Sequence, residues 1–130
     1  MPSEHLQNSQ ATPLEMHLVF SDAEKHVLVV GRWVDYGNVN TSLAPIFSEL
    51  PQTTTDHLAV DNFNLNTLLP TSNMESFRYT GSLTTPPFSE GVSWVNLAEP
   101  LFYMSAARFM PFKNSFQMVM RVQCSHSMGE

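Results

Sequence analysis

The stretch "LEMHLVFSDAEKHVLVVGRWV", residues 14–34, decides the fold class. Its first seven residues alternate, with Leu14, Met16, Leu18 and Phe20 on one face and Glu15, His17 and Val19 on the other, the period-two pattern of a strand. The run from His26 to Val34 is apolar enough for a central strand, and the intervening "SDAEK" supplies a turn, so an antiparallel hairpin is expected. The same alternation sets Glu15 and His17 side by side, the carboxylate within reach of a ring nitrogen. A metal-ligating histidine requires such an acceptor, which fixes its tautomer. Taken alone, the pair reads more simply as a half-buried acid–histidine contact inside a sheet.

Downstream, "NTSLAPIFSEL" reads as a short helix capped by Asn40 or Thr41. A polar, irregular stretch follows, with a helical turn at Asn66–Leu69 stopped by Pro70. The segment "FRYTGSLTTPPFSEGVSWVNLAEPLFYM" reads as strand, loop, strand, with Val92 and Trp94 sharing a face. "SAARFMPF" reads as a short helix interrupted by Pro111, and "FQMVMRVQ" as a last strand. No repeat interrupts the series, so the class is mainly β with a few short helices.

Composition narrows the function. The 130 residues match one domain with a modest core, 42% hydrophobic and 14% charged. No run approaches a membrane span of roughly 18 apolar residues. The net charge of −6 and six scattered basic residues argue against a nucleic-acid partner. Cys124 is the sole cysteine, which excludes an internal disulfide and a cysteine-rich metal site, and it has no base at a recognisable spacing. His26, His57 and His126 have no acidic or histidine partner at ligand spacing and read as surface or core histidines. Met1-Pro2-Ser3-Glu4 lacks the basic-then-apolar run of a secretory leader.

"PSEH" at Pro2–His5, "LEMHLV" at Leu14–Val19, "FNLNTLLP" at Phe63–Pro70 and "YTGSLTTPPFSEGVSW" at Tyr79–Trp94 stand in one order and spacing. Together they resemble the α-class carbonic anhydrases, most closely the bacterial-type members. The resemblance implies a large twisted mixed β-sheet with short peripheral helices, and zinc at the bottom of a cavity. His17 matches the third of three zinc-binding histidines, and Glu15 the acid that orients it. Thr84 matches the threonine whose hydroxyl accepts a hydrogen bond from zinc-bound hydroxide and donates one to the acid matched by Glu4. Thr85 matches a neighbour contacting bicarbonate, while Val19, Val29, Leu83, Val92 and Trp94 match the apolar wall where carbon dioxide sits. A cis bond is expected at Pro86–Pro87, and Phe88 stands where many secreted members carry a disulfide cysteine.

The implied function is reversible hydration of carbon dioxide to bicarbonate and a proton. The pattern places the first two zinc ligands immediately upstream of Met1, so residues 1–130 are expected to form the C-terminal part of the domain, inactive by themselves. Sheet edges that would pair with the remainder are expected to be open. A non-catalytic binding protein on the same scaffold is the rival reading, and retention of Glu4, Glu15, His17 and Thr84 favours the enzyme. The bacterial resemblance points to periplasm or secretion; oligomeric state is not implied.

Overall fold

The computed structural model describes residues 3–37, 65–70, 72–104 and 118–121. Five strands, β1 (Leu14–Ser21), β2 (Val27–Tyr36), β3 (Ser76–Ser82), β4 (Glu90–Met104) and β5 (Met118–Arg121), form one sheet in the order β3-β4-β2-β1-β5. The sheet is mixed: β1 runs antiparallel to β2 and β3 to β4, whereas β2 is parallel to β4 and β1 to β5. The expected hairpin, helical turn and last three strands are therefore present, the turn as a 3-10 segment at Leu65–Leu68. The helices expected at 40–50 and 105–112 lie outside the described residues. No helix among the described residues is long and apolar enough to cross a membrane.

The hairpin closes through Asp22. Its amide donates to the His26 carbonyl at 3.2 Å, its carbonyl accepts from Lys25 at 3.1 Å, and Lys25 takes the left-handed φ of 65°. One Asp22 carboxylate oxygen accepts the His26 amide and the other meets His26 Nδ1, each at 2.8 Å. His26 thus has an acidic partner four residues back, contrary to the reading from spacing. The reason is geometric: a turn brings i and i+4 together without a helix. The hydrogen bond from His26 holds the Asp22 carboxyl below its ordinary value.

Both faces of β1 are buried from Leu14 to Val19, so its alternation separates two packed layers rather than core from solvent. The back layer gathers Met16, Leu18, Val34, Leu97, Leu101 and Leu68. Among them sits a buried cation, Arg32, 4% exposed. Its guanidinium donates to the carbonyls of Leu68 (2.7 Å), Glu99 (3.0 Å) and Pro100 (3.3 Å), with the Glu99 carboxylate 3.9 Å away. These acceptors arise from a bulge: Arg32 pairs with Leu97, but Val34 pairs with Leu101. Pro100 has no N–H for a ladder, so the strand bulges there and its carbonyls turn to Arg32.

The front layer is covered by residues 3–13. A tight turn with Asn8 and Ser9 at positive φ is closed by reciprocal 3.0 Å bonds between Gln7 and Gln10. Ser3 ties the ends of this segment, its amide donating to Thr12 and its hydroxyl accepting from the Thr12 amide, both at 2.9 Å. Trp33 Nε1 then donates to the His5 carbonyl at 2.9 Å, fastening the segment onto β2.

Candidate active site

Strand periodicity and register assemble the site. Glu15, His17 and Val19 face the front layer from β1, and β2 brings Val29 opposite Val19. The parallel β4 sets Trp94 opposite Val29, and antiparallel β3 sets Tyr79 opposite Trp94. Val19, Val29, Val92 and Trp94 form one buried cluster, with Leu83 packed against it. The loop between β3 and β4 folds back over this wall, held by Leu83 N–H to Ser89 O and Phe88 N–H to Thr85 O, both 2.9 Å. The Pro86–Pro87 bond in that loop is cis, as expected.

A small cavity results, lined by His17, Val19, Val29, Leu83, Thr84, Thr85 and Trp94. Seven of the site residues expected from sequence are therefore brought to one place. Val92 stands in the wall's cluster and Glu15 beneath His17, while Glu4 lies exposed on the covering segment.

Behind His17 runs a chain of hydrogen bonds. Glu15 Oε2 accepts from His17 Nε2 and, at 3.0 Å, from His5 Nδ1; Glu15 Oε1 accepts the His5 amide at 3.1 Å. His5 Nε2 in turn meets the Tyr79 hydroxyl. An ionised carboxylate only accepts, so both imidazole nitrogens facing it carry hydrogens. In the neutral rings this leaves a lone pair on His17 Nδ1 and on His5 Nε2, the latter accepting the Tyr79 O–H.

Electrostatics follow. Burial pushes the Glu15 carboxyl up, but hydrogen bonds from His17 and then His5 outweigh it and lower its pKa from 4.5 to about 2. Partial burial, followed by the charges of Glu15 and Glu4, raises the Tyr79 phenol and keeps it a donor. Trp94 packs against His17, His5 and Tyr79 with ring centroids 4.9, 5.0 and 5.9 Å away, and satisfies its own N–H on the Ser82 carbonyl at 3.0 Å. His5 and Tyr79 are the site residues that sequence reading left without a role. The hint for Tyr79 was its position two residues before Gly81, on the face of Trp94.

Among the described residues, one buried side-chain polar atom is unmatched. Asn96, 2% exposed, lies in the same cross-strand row as Gly31 and His17, and its Oδ1 has no hydrogen-bond partner. The carboxamide occupies the space a side chain at Gly31 would need. An unsatisfied buried acceptor costs about 1–3 kcal/mol, so Asn96→Val is expected to raise stability by about 1 kcal/mol in urea unfolding. A loss of similar size would show that the carboxamide has a partner.

The chain belongs to the carbonic anhydrase family: the model of eukaryotic-type carbonic anhydrase matches residues 1–128. Among relatives it is 37% identical over 97 residues to a carbonic anhydrase of Neisseria gonorrhoeae, covering 75% of this chain and 38% of that protein. It is 39% identical over 106 residues to one of Klebsiella pneumoniae, covering 81% and 43%. In three dimensions it is similar to the α-carbonic anhydrase of Thermovibrio ammonificans solved with the inhibitor sulfanilamide, with TM-score 0.76, 33% identity, and 95% of this chain against 55% of that one. The Photobacterium profundum α-carbonic anhydrase gives TM-score 0.75 at 28% identity, over 95% and 58%. The chain thus spans about two fifths of the length of the bacterial relatives it matches.

The family is zinc-dependent, and the donor set here can be tested for such an ion. His5, Glu15 and His17 place ligand-type atoms within 4.8 Å of one another. Those atoms are already engaged with each other, Glu15 Oε2 receiving both imidazoles. What remains is His17 Nδ1, on a ring that lines the cavity. The residues fit zinc as one ligand with its orienting acid and apolar surroundings; a catalytic zinc takes three protein ligands.

Proposed function

We propose that this chain forms the C-terminal part of an α-carbonic anhydrase domain whose reaction is the reversible hydration of carbon dioxide to bicarbonate and a proton. The observation that carries the reading is His17, locked by Glu15 with Nδ1 left over, on the floor of a cavity walled by Val19, Val29, Leu83 and Trp94. His17 would hold zinc through Nδ1 alongside two histidines from a preceding strand. Zinc supplies hydroxide at neutral pH by lowering the pKa of bound water, carbonic anhydrase being the standard instance.

The remaining work falls to the chain's own groups. The apolar wall holds an uncharged gas without hydrating it. Thr84 at the rim would orient the nucleophile by accepting its hydrogen bond while donating its own O–H to the Glu4 carboxylate, and Thr85 would contact the product. Glu15 accepts from Nε2–H of His17, which fixes the neutral-ring tautomer that presents Nδ1 to a metal. His5, itself met by the Tyr79 hydroxyl, holds Glu15 from the other side.

Two measurements test this. Translation of the DNA upstream of Met1 is expected to show an open frame encoding a His-x-His strand; an in-frame stop there would overturn the catalytic reading and leave a truncated domain or a non-catalytic binding role. The 130-residue polypeptide by itself is expected to bind zinc weakly and hydrate carbon dioxide at the background rate, since it carries one ligand of three. One tightly held zinc per chain with sulfonamide-sensitive hydration would overturn the partial-domain assignment.

A further inference from the structure

β1 is bordered on both sides. β2 pairs with it from Leu14 to Ser21, and β5 takes the opposite edge through a short parallel ladder running from Met16↔Met118 to Val19↔Arg121. Val119 therefore stands opposite His17. Valine carries no metal-ligating atom, so the strand beside His17 adds nothing to its donor set.

A second segment is aimed at the same edge. The Ser3 amide donates to the Thr12 carbonyl at 2.9 Å, just ahead of β1, and the Thr12 amide donates to the Ser3 hydroxyl at 2.9 Å. These bonds close a loop that the antiparallel Gln7–Gln10 bridge reverses at its tip. The chain ahead of Ser3 is thereby directed antiparallel alongside the start of β1. Because β2 fills one side from Leu14 onward, that chain can continue only along the edge that β5 holds. Each step back from Ser3 matches one step forward from Thr12, which sets the first and third residues before Met1 opposite Glu15 and His17. Directly opposed residues share a face of the sheet, so two histidines at those positions would stand on the face that carries His17.

We propose that β5 and the ligand-bearing strand compete for this one edge of β1, so that β5 holds the chain in a state with a single metal ligand until that strand displaces it. The proposal rests on the reading of His17 as a zinc ligand given above. The exchange favours the incoming strand. A short parallel ladder is the weaker kind of pairing, whereas the newcomer is antiparallel and brings two further ligands for the same ion.

Hydrogen exchange on the full 130-residue chain tests this, using zinc and a blocked synthetic peptide of about ten alternating apolar residues around one His-x-His. Peptide and zinc together are expected to strip protection from the Met118–Arg121 amides while β1 keeps its own. Replacing both neighbours, Val119→Pro with Met120→Pro, removes one N–H facing β1 whichever of the two supplies it. That double variant is expected to bind the peptide about tenfold more tightly in zinc, because no strand has to leave first. If circular dichroism shows the variant unfolded, loss of protection at Met118–Arg121 in the wild type decides. Peptide bound equally tightly by both proteins, with Met118–Arg121 still protected, overturns the competition and leaves the metal site standing. Failure of both proteins to bind the peptide in zinc removes the metal reading and the competition with it.

Discussion

Glu15→Gln is expected to lower stability by about 3 kcal/mol at pH 7 and to flatten the acid limb of the stability curve. The carboxylate accepts three hydrogen bonds from His17 and His5 in a site where it is 4% exposed. A glutamine keeps the shape but turns one acceptor oxygen into a donor, which then faces an N–H it cannot accept. The sign of the pH effect follows from the pKa, lowered from 4.5 to about 2 on folding. Stabilisation is fully present above the unfolded value of 4.5 and is lost as pH falls toward the folded value of about 2. Urea unfolding of both proteins from neutral pH down to about 2 checks this, because the wild type should lose its advantage only within that window. Equal stability at pH 7, with the same acid limb, would remove the carboxylate from the account of this site.

The second large effect lies on the opposite face. Arg32→Met is expected to cost about 3–5 kcal/mol, because the cation is buried and three carbonyls are left without a donor. The apolar replacement fits the surrounding layer of Met16, Val34 and Leu97, so packing alone does not explain such a loss. Arg32→Lys retains the charge but not the planar fork that reaches Leu68, Glu99 and Pro100 together, and should recover less than half of it. Guanidinium unfolding of the three proteins provides the comparison. A loss under about 1 kcal/mol for Arg32→Met would mean that the bulge carbonyls find other donors. Burial depresses the Arg32 pKa, with the Glu99 carboxylate opposing, yet the group stays charged across any accessible pH.

Much of this was readable along the chain because the relevant geometry is local. Period-two alternation sets Glu15 and His17 on one side of β1, and the structure bonds them. The polar "SDAEK" turn sets the β1–β2 register, and with it Val19 against Val29. The run from Tyr79 to Trp94 carried the family and the cavity wall. Where local reading failed, at His26, the partner was near in sequence but presented by a turn whose spacing matches neither strand nor helix.

The sequence by itself determined the strands, the acid–histidine pair and the membership in a family, since each depends on spacing within a few residues or on a contiguous motif. Only the tertiary structure decided that Tyr79 meets His5 across 74 residues, that β4 lies parallel to β2, and that Arg32 reads carbonyls 36 to 68 residues away. Those contacts depend on which strands become neighbours and where a bulge shifts their register. Alternation along one strand is blind to both, because it records which face a side chain takes and not which strand lies beside it.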